Sequence, residues 1–190
     1  MTEAEWSVCE SPSVMLKAIE SYERLRKLRL VACACYRHAN LSSPHNSDLR
    51  AIESIERYID GVDSLNELIR HIRNARDVAA CFRCLSPSVQ ILAQIMETVI
   101  EGVLDRDAER KYQCQAVLDV FAYRFYQPPL RPEAIAPLAE RIYAGEWKLM
   151  PILGEWLQEN GYWSEGEHCL DPKIQHVKGC WVVDWVTGRE

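Results

Sequence analysis

Glycine is scarce in this chain, eight in 190 residues, and no cluster of them forms a loop able to cradle phosphate. That scarcity argues against the phosphate-loop and dinucleotide-binding α/β folds. No G-x-S-x-G and no H-E-x-x-H occurs, so the serine-hydrolase elbow and the helical zinc-protease motif are absent. No apolar run approaches the roughly 20 residues that a membrane-spanning helix needs. Positive charge is in deficit: 22 Lys and Arg against 28 Asp and Glu give a net charge of −6. Such a surface disfavours non-specific attraction to nucleic acid and to anionic membranes. There is no fixed-period repeat and no low-complexity tract. The opening residues Met1 to Trp6 lack the basic and apolar blocks of a secretion signal, which predicts a cytoplasmic protein. The eight cysteines are therefore expected as reduced thiols, most of them packed as small apolar side chains.

What is present is helical periodicity over most of the length. With 48% hydrophobic and 26% charged residues the chain reads as one globular domain, 1–190, large enough to bury about 70% of its unfolded surface. Ser11-Pro12 reads as a helix start. A second helix follows from about Glu23 to Ala39, and its small residues Ala32-Cys33-Ala34-Cys35 predict a central position, because small side chains let neighbours approach. Its basic residues Arg24, Arg26, Lys27, Arg29 and Arg37 read as a solvated face paired with acids. Ser47 or Asp48 starts a helix that Gly61 ends. Ser64-Leu65-Asn66-Glu67 is a capping box opening a helix to about Leu85. Further helices are expected from Ser86-Pro87, from Asp105 or Asp107, over 133–144 and over 151–160. Cys81-Phe82-Arg83-Cys84 sits late in a helical pattern, outside the strand context of a redox motif. The segment Gln127-Pro128-Pro129-Leu130-Arg131-Pro132 resists helix. It marks a boundary between a bundle over 1–127 and a smaller helical part over 132–190. The alternation of Trp181, Val183 and Trp185 also fits a strand. With no partner strand in view, a helix ending at Gly188 is the expectation. The fold class is all-α, an irregular bundle of seven to nine helices.

Four pieces of the chain are distinctive: Met1-Thr2-Glu3-Ala4-Glu5-Trp6 with Cys9; Arg26-Lys27-Leu28-Arg29-Leu30 with Ala32-Cys33-Ala34-Cys35; Leu149-Met150-Pro151-Ile152-Leu153 with Gly161; and His176-Val177-Lys178-Gly179-Cys180-Trp181-Val182-Val183-Asp184. Through them the chain resembles a family of uncharacterised bacterial proteins abundant in planctomycetes. The pieces span nearly the full length. Tyr36 and Tyr162 stand where members of that family often carry cysteine. The resemblance implies a self-contained domain and no particular reaction.

Chemistry concentrates near the end of the chain. His168, Cys169, His176 and Cys180 are ligands of the types that zinc prefers. On a helix His176 and Cys180 would share one face, four residues apart. The same thiol would serve as a nucleophile with His176 as base and Asp171 or Asp184 orienting it. The bland alternative is packing of Cys180 beside the tryptophans, on one helical face with Val177. An aromatic-rich C-terminal part offers Trp163, Trp181 and Trp185 as interface anchors, since tryptophan recurs at binding hot spots. Together these features favour a non-enzymatic interaction or adaptor domain with a protein partner and no cofactor. A zinc-binding or thiol-dependent enzyme with a C-terminal His/Cys site is the alternative.

Overall fold

Helices account for nearly all regular structure, and the reasons are local. The computed structural model describes residues 1–19, 24–40, 46–75, 78–85, 88–122 and 129–189, with the side chains of 3, 40, 46, 78–80 and 82 not described. Among these residues there are twelve α-helices, two short 3-10 turns and no strand. The chain divides into two compact units, Met1–Val117 and Leu118–Glu190. That division falls inside a helix, earlier than the proline segment that the sequence marks. Residues 127 and 128 of that segment lie outside the described residues.

The first unit holds α1 (Glu3–Ser7), α2 (Pro12–Ala18), α3 (Leu25–Asn40), α4 (Asn46–Ile59), α5 (Leu65–Ile72), α6 (Val78–Leu85), α7 (Val89–Gly102) and most of α8 (Arg106–Phe121). Thr2 with Glu5, and Ser64 with Glu67, form complete capping boxes. In each, a side-chain oxygen satisfies a backbone N–H that the first turn leaves open. Ser11 occupies the cap position of α2 but makes no capping bond, its hydroxyl lying 3.1 Å from that of Ser13. The cap of α7 is Ser88, whose hydroxyl accepts from Ile91 N at 3.2 Å; Ser86-Pro87 lies outside the described residues. Asp105 caps α8 through Ala108 N at 3.0 Å.

The central place expected for the second predicted helix holds for α3. It packs on α4, α6 and α7, and Ala32, Cys33 and Cys35 are fully buried. Two of its cations pair with acids, Arg37 with Glu56 at 2.8 Å and Arg26 with Asp60 at 3.4 Å; Arg29 donates instead to the Leu85 carbonyl at 2.8 Å and Lys27 is buried, so the expected solvated face holds only in part. A buried polar chain crosses the same unit. Glu109 takes His38 Nδ1 at 2.7 Å on one oxygen and Gln113 Nε2 at 3.0 Å on the other. Gln113 also donates to the Met96 carbonyl at 3.0 Å.

The second unit contains the last turn of α8, then α9 (Ala136–Tyr143), α10 (Met150–Glu159), α11 (Trp163–Leu170) and α12 (Trp181–Thr187). Its core joins Ala139, Ile142, Leu153 and Leu157 to Val182, Val183 and Val186 of α12. The C-terminal helix ends at Gly188, as its sequence predicts.

Twelve helices exceed the expected seven to nine for identifiable reasons. The pattern read as one helix from Ser64 to Leu85 is two, α5 and α6. After α5 the Asn74 side chain donates to the Arg70 carbonyl at 3.1 Å, occupying an acceptor that a continuing helix would use. The remaining two, α1 and α11, are short. Their five and eight residues give periodicity too little length to register.

Candidate metal centre

The site is assembled from four separate stretches of the second unit. Asp119 comes from the final turn of α8. His168 comes from the last turn of α11. His176 lies in the loop between α11 and α12, and Cys180 immediately precedes α12.

Close backbone packing sets the position of α11. A Cβ on Gly166 would come 2.7 Å from the Gly154 carbonyl oxygen, and one on Gly154 would come 3.0 Å from the Cys169 Cβ. Only glycine permits that approach. The loop returns through a tight turn in which Cys180 N donates to the Val177 carbonyl at 2.9 Å. Gly179 supplies the left-handed residue there, with φ 97°, a value that side-chain-bearing residues rarely adopt. Asp184 N then donates to the Cys180 carbonyl at 2.9 Å and starts α12.

Side chains converge as follows. Asp119 Oδ1 lies 2.9 Å from His168 Nε2 and 2.9 Å from His176 Nδ1. Its other oxygen accepts from Val177 N at 2.8 Å. Cys180 Sγ is 3.5 Å from His168 Nε2 and 3.8 Å from His176 Nδ1. The four ligand atoms all lie within 4.8 Å of one another. Bond lengths of about 2.0–2.1 Å to nitrogen or oxygen and 2.3 Å to sulfur imply tetrahedron edges of about 3.5 Å for N–S and 3.3 Å for N–O. The two nitrogen–sulfur edges, 3.5 and 3.8 Å, lie close to that value. The two nitrogen–oxygen edges are shorter by a few tenths because they are hydrogen bonds. Asp119 and Cys180 are fully buried, and the His168 and His176 side chains are 7% and 10% exposed.

Burial opposes the charge on Asp119, but hydrogen bonds from His168 and His176 outweigh it and hold its carboxyl well below the usual carboxylate range. Burial also opposes the His176 cation. The bond to Asp119 and that carboxylate's charge prevail, and the imidazole pKa is raised. Burial first, and then the Asp119 charge, push the Cys180 thiol far above its ordinary value. A nucleophilic cysteine needs a lowered pKa and access. Cys180 has neither, whereas a bound cation would deprotonate the same thiol outright.

Of the four predicted ligands, His168, His176 and Cys180 come together and Cys169 does not. Neighbours on a helix project about 100° apart, so Cys169 turns into the hydrophobic core against Gly154. Asp119 fills the fourth place. It also holds the ring-orienting position that the sequence reading assigned to Asp171 or Asp184. Asp119 was legible only as the single acid in the apolar run Ala116 to Ala122. His176 and Cys180 meet across a turn, not along a helix. Trp181 and Trp185 are 6% and 8% exposed. Trp181 lies beside His168, ring centroids 5.3 Å apart and tilted by 58°, and Trp185 donates to the Pro129 carbonyl at 3.2 Å. As core residues they do not serve as interface anchors; Trp163, 66% exposed, remains open to solvent. Among the described residues this is the one place where three or more such ligands converge. The C-x-x-C thiols Cys81 and Cys84 are buried and not joined in a disulfide.

No family model, no curated protein and no solved structure matches this chain.

Proposed function

We propose that the second unit is a non-enzymatic, metal-binding helical domain whose ion is structural. The observation that carries this is the convergence of Asp119, His168, His176 and Cys180, brought from four stretches of chain to within 4.8 Å. Zinc suits the set: two imidazoles, one thiolate and one carboxylate make a tetrahedral shell that balances a divalent cation. All four positions come from protein, and all four side chains are nearly or fully buried. A catalytic zinc keeps one position open, so the closed shell favours a staple over a reaction centre. The staple would tie α8, α11 and α12 together, and its binding energy would be folding energy. The run from His176 to Asp184, which carries the resemblance noted above, supplies two of the four ligands.

Elemental analysis of protein purified without added metal tests this. About one equivalent of zinc per chain is the expected result, with a lower melting temperature after chelation. Metal-free protein whose melting ignores chelator would refute it.

An interaction role is favoured by one further observation, the exposure of Trp163. As the anchor of a protein partner it would leave stability nearly untouched, so Trp163→Ala should shift folding by less than about 0.5 kcal/mol. The same change should abolish co-purification of that partner. Full retention of the partner would end this reading.

A further inference from the structure

Glu165 is the most anomalous side chain in the second unit. It is fully buried, and neither carboxylate oxygen has a hydrogen-bond partner. Buried carboxylates without partners are rare, because losing water without replacement is unfavourable. Such a group in a native fold points to a donor that arrives later.

One donor stands three residues along the same helix. Glu165 and His168 both lie on α11, and residues at that spacing are surface neighbours. A helical side chain leans back over the turn before it, which carries the His168 ring toward Glu165. The hydrogen-bond contacts of His168 run through Nε2, to Asp119 at 2.9 Å and to Cys180 at 3.5 Å. Nδ1 is left for the opposite side. Glu165 thus holds two buried oxygens without a partner, while the contacts of its neighbour His168 engage the other ring nitrogen, Nε2.

We propose that Glu165 accepts the Nδ1 proton of His168 when a metal occupies the Nε2 side, making it the positioning residue of the centre. The inference rests on the metal-binding reading above. Metal-ligating histidines generally donate their second ring N–H to a carboxylate or carbonyl, which fixes the tautomer and raises ligand basicity. In the metal-free protein the His168 proton has a competing place on the Asp119 side, where Nε2 meets Oδ1. A metal bound at Nε2 would remove that option and leave the proton on Nδ1. A rotation of the Glu165 side chain then completes the pair.

The test uses the full chain and zinc alone, titrated against a chromophoric chelator, for the unmutated protein, Glu165→Gln and Glu165→Leu. Nitrogen-15 NMR of the imidazoles is recorded in each zinc-loaded form. Glu165→Leu should weaken zinc by about tenfold or more. Glu165→Gln, which keeps the shape and one acceptor oxygen, should lose less. The His168 Nδ1 proton should be protected from exchange in the unmutated protein and exchange rapidly in Glu165→Leu. Metal-free variants should keep their helical content, since the carboxylate makes no bonds there. Equal affinity in all three proteins would overturn the role of Glu165 while leaving the metal centre standing. So would a loss of affinity accompanied by loss of helix in the metal-free state. An unmutated protein that takes up no zinc would overturn the metal centre, and this inference with it.

Discussion

Each unit buries a carboxylate against histidine, and the two arrangements differ in what else faces the acid. In the first unit Glu109 is closed off by His38 and Gln113, and the chain runs on to a backbone carbonyl. His38 lies flat on Tyr112, ring centroids 3.7 Å apart, with its side chain 31% exposed. Each Glu109 oxygen there faces one donor, and among the described residues no cluster of three metal-ligating atoms forms around it. In the second unit Asp119 meets two imidazoles through one oxygen, with a thiol against both rings. Four atoms that ligate metals surround one point. A His–carboxylate pair alone is a brace; the convergence of further lone pairs on the same point makes a candidate metal centre.

The sharpest way to break this comparison is to delete each acid in turn. Asp119→Ala strands two buried imidazoles and the Val177 N–H, and should cost about 3–5 kcal/mol. Glu109→Ala strands Gln113 and a His38 that water can reach, and should cost about 1–3 kcal/mol. Denaturant melts with and without chelator measure both. Chelator should narrow the gap between Asp119→Ala and the unmutated protein, and should leave the Glu109→Ala difference unchanged. Equal chelator dependence in the two variants would erase the distinction between brace and centre.

A smaller effect is expected from Gly166→Ala. The new Cβ would meet the Gly154 carbonyl oxygen at 2.7 Å and Gln158 Cγ at 2.5 Å, and overpacking of that kind costs about 1–3 kcal/mol. Because α11 carries His168, zinc affinity should fall with stability. A variant that melts earlier yet binds zinc as before would separate the helix packing from the site.

The mildest test concerns acid, in the first unit and away from the centre. Burial would raise the pKa of Asp63, but hydrogen bonds from Arg57 and Ser54 prevail and lower it. Its contribution is therefore complete above the unfolded value of about 3.9 and is lost as pH falls through the depressed folded value. Asp63→Asn should lower stability near neutrality and flatten the acid limb of the melting profile below about pH 4. A steeper acid limb in the variant would contradict the sign.

Much of the fold was legible because it is written in short range. Caps at Ser64, the stop at Gly61 and the small residues of α3 are local statements about local geometry. The all-α class follows from them. The split between α5 and α6 was hidden because the periodicity runs across it, while the Asn74 side chain takes the Arg70 carbonyl at the end of α5. The centre was half legible. His168, His176 and Cys180 lie within one stretch, so their types and spacing raised the question of metal. The full cluster depended on Asp119, 49 residues before His168, and sequence spacing carries no information about that meeting. Cys169 misled because adjacency in sequence is not adjacency in direction on a helix. The tryptophans misled because Trp181 and Trp185 suit a core as well as an interface, and only burial distinguishes the two.

Cobalt substitution tests the central claim most directly. Cobalt(II) takes the zinc geometry, and its visible bands report coordination number while a near-ultraviolet band reports a thiolate ligand. One equivalent added to metal-free protein should give the intense visible bands of a four-coordinate ion together with the sulfur charge-transfer band. Cys180→Ser should lose the charge-transfer band, and Cys169→Ser should keep it. A weak spectrum like that of the hydrated ion, or a sulfur band that survives in Cys180→Ser, would contradict the account.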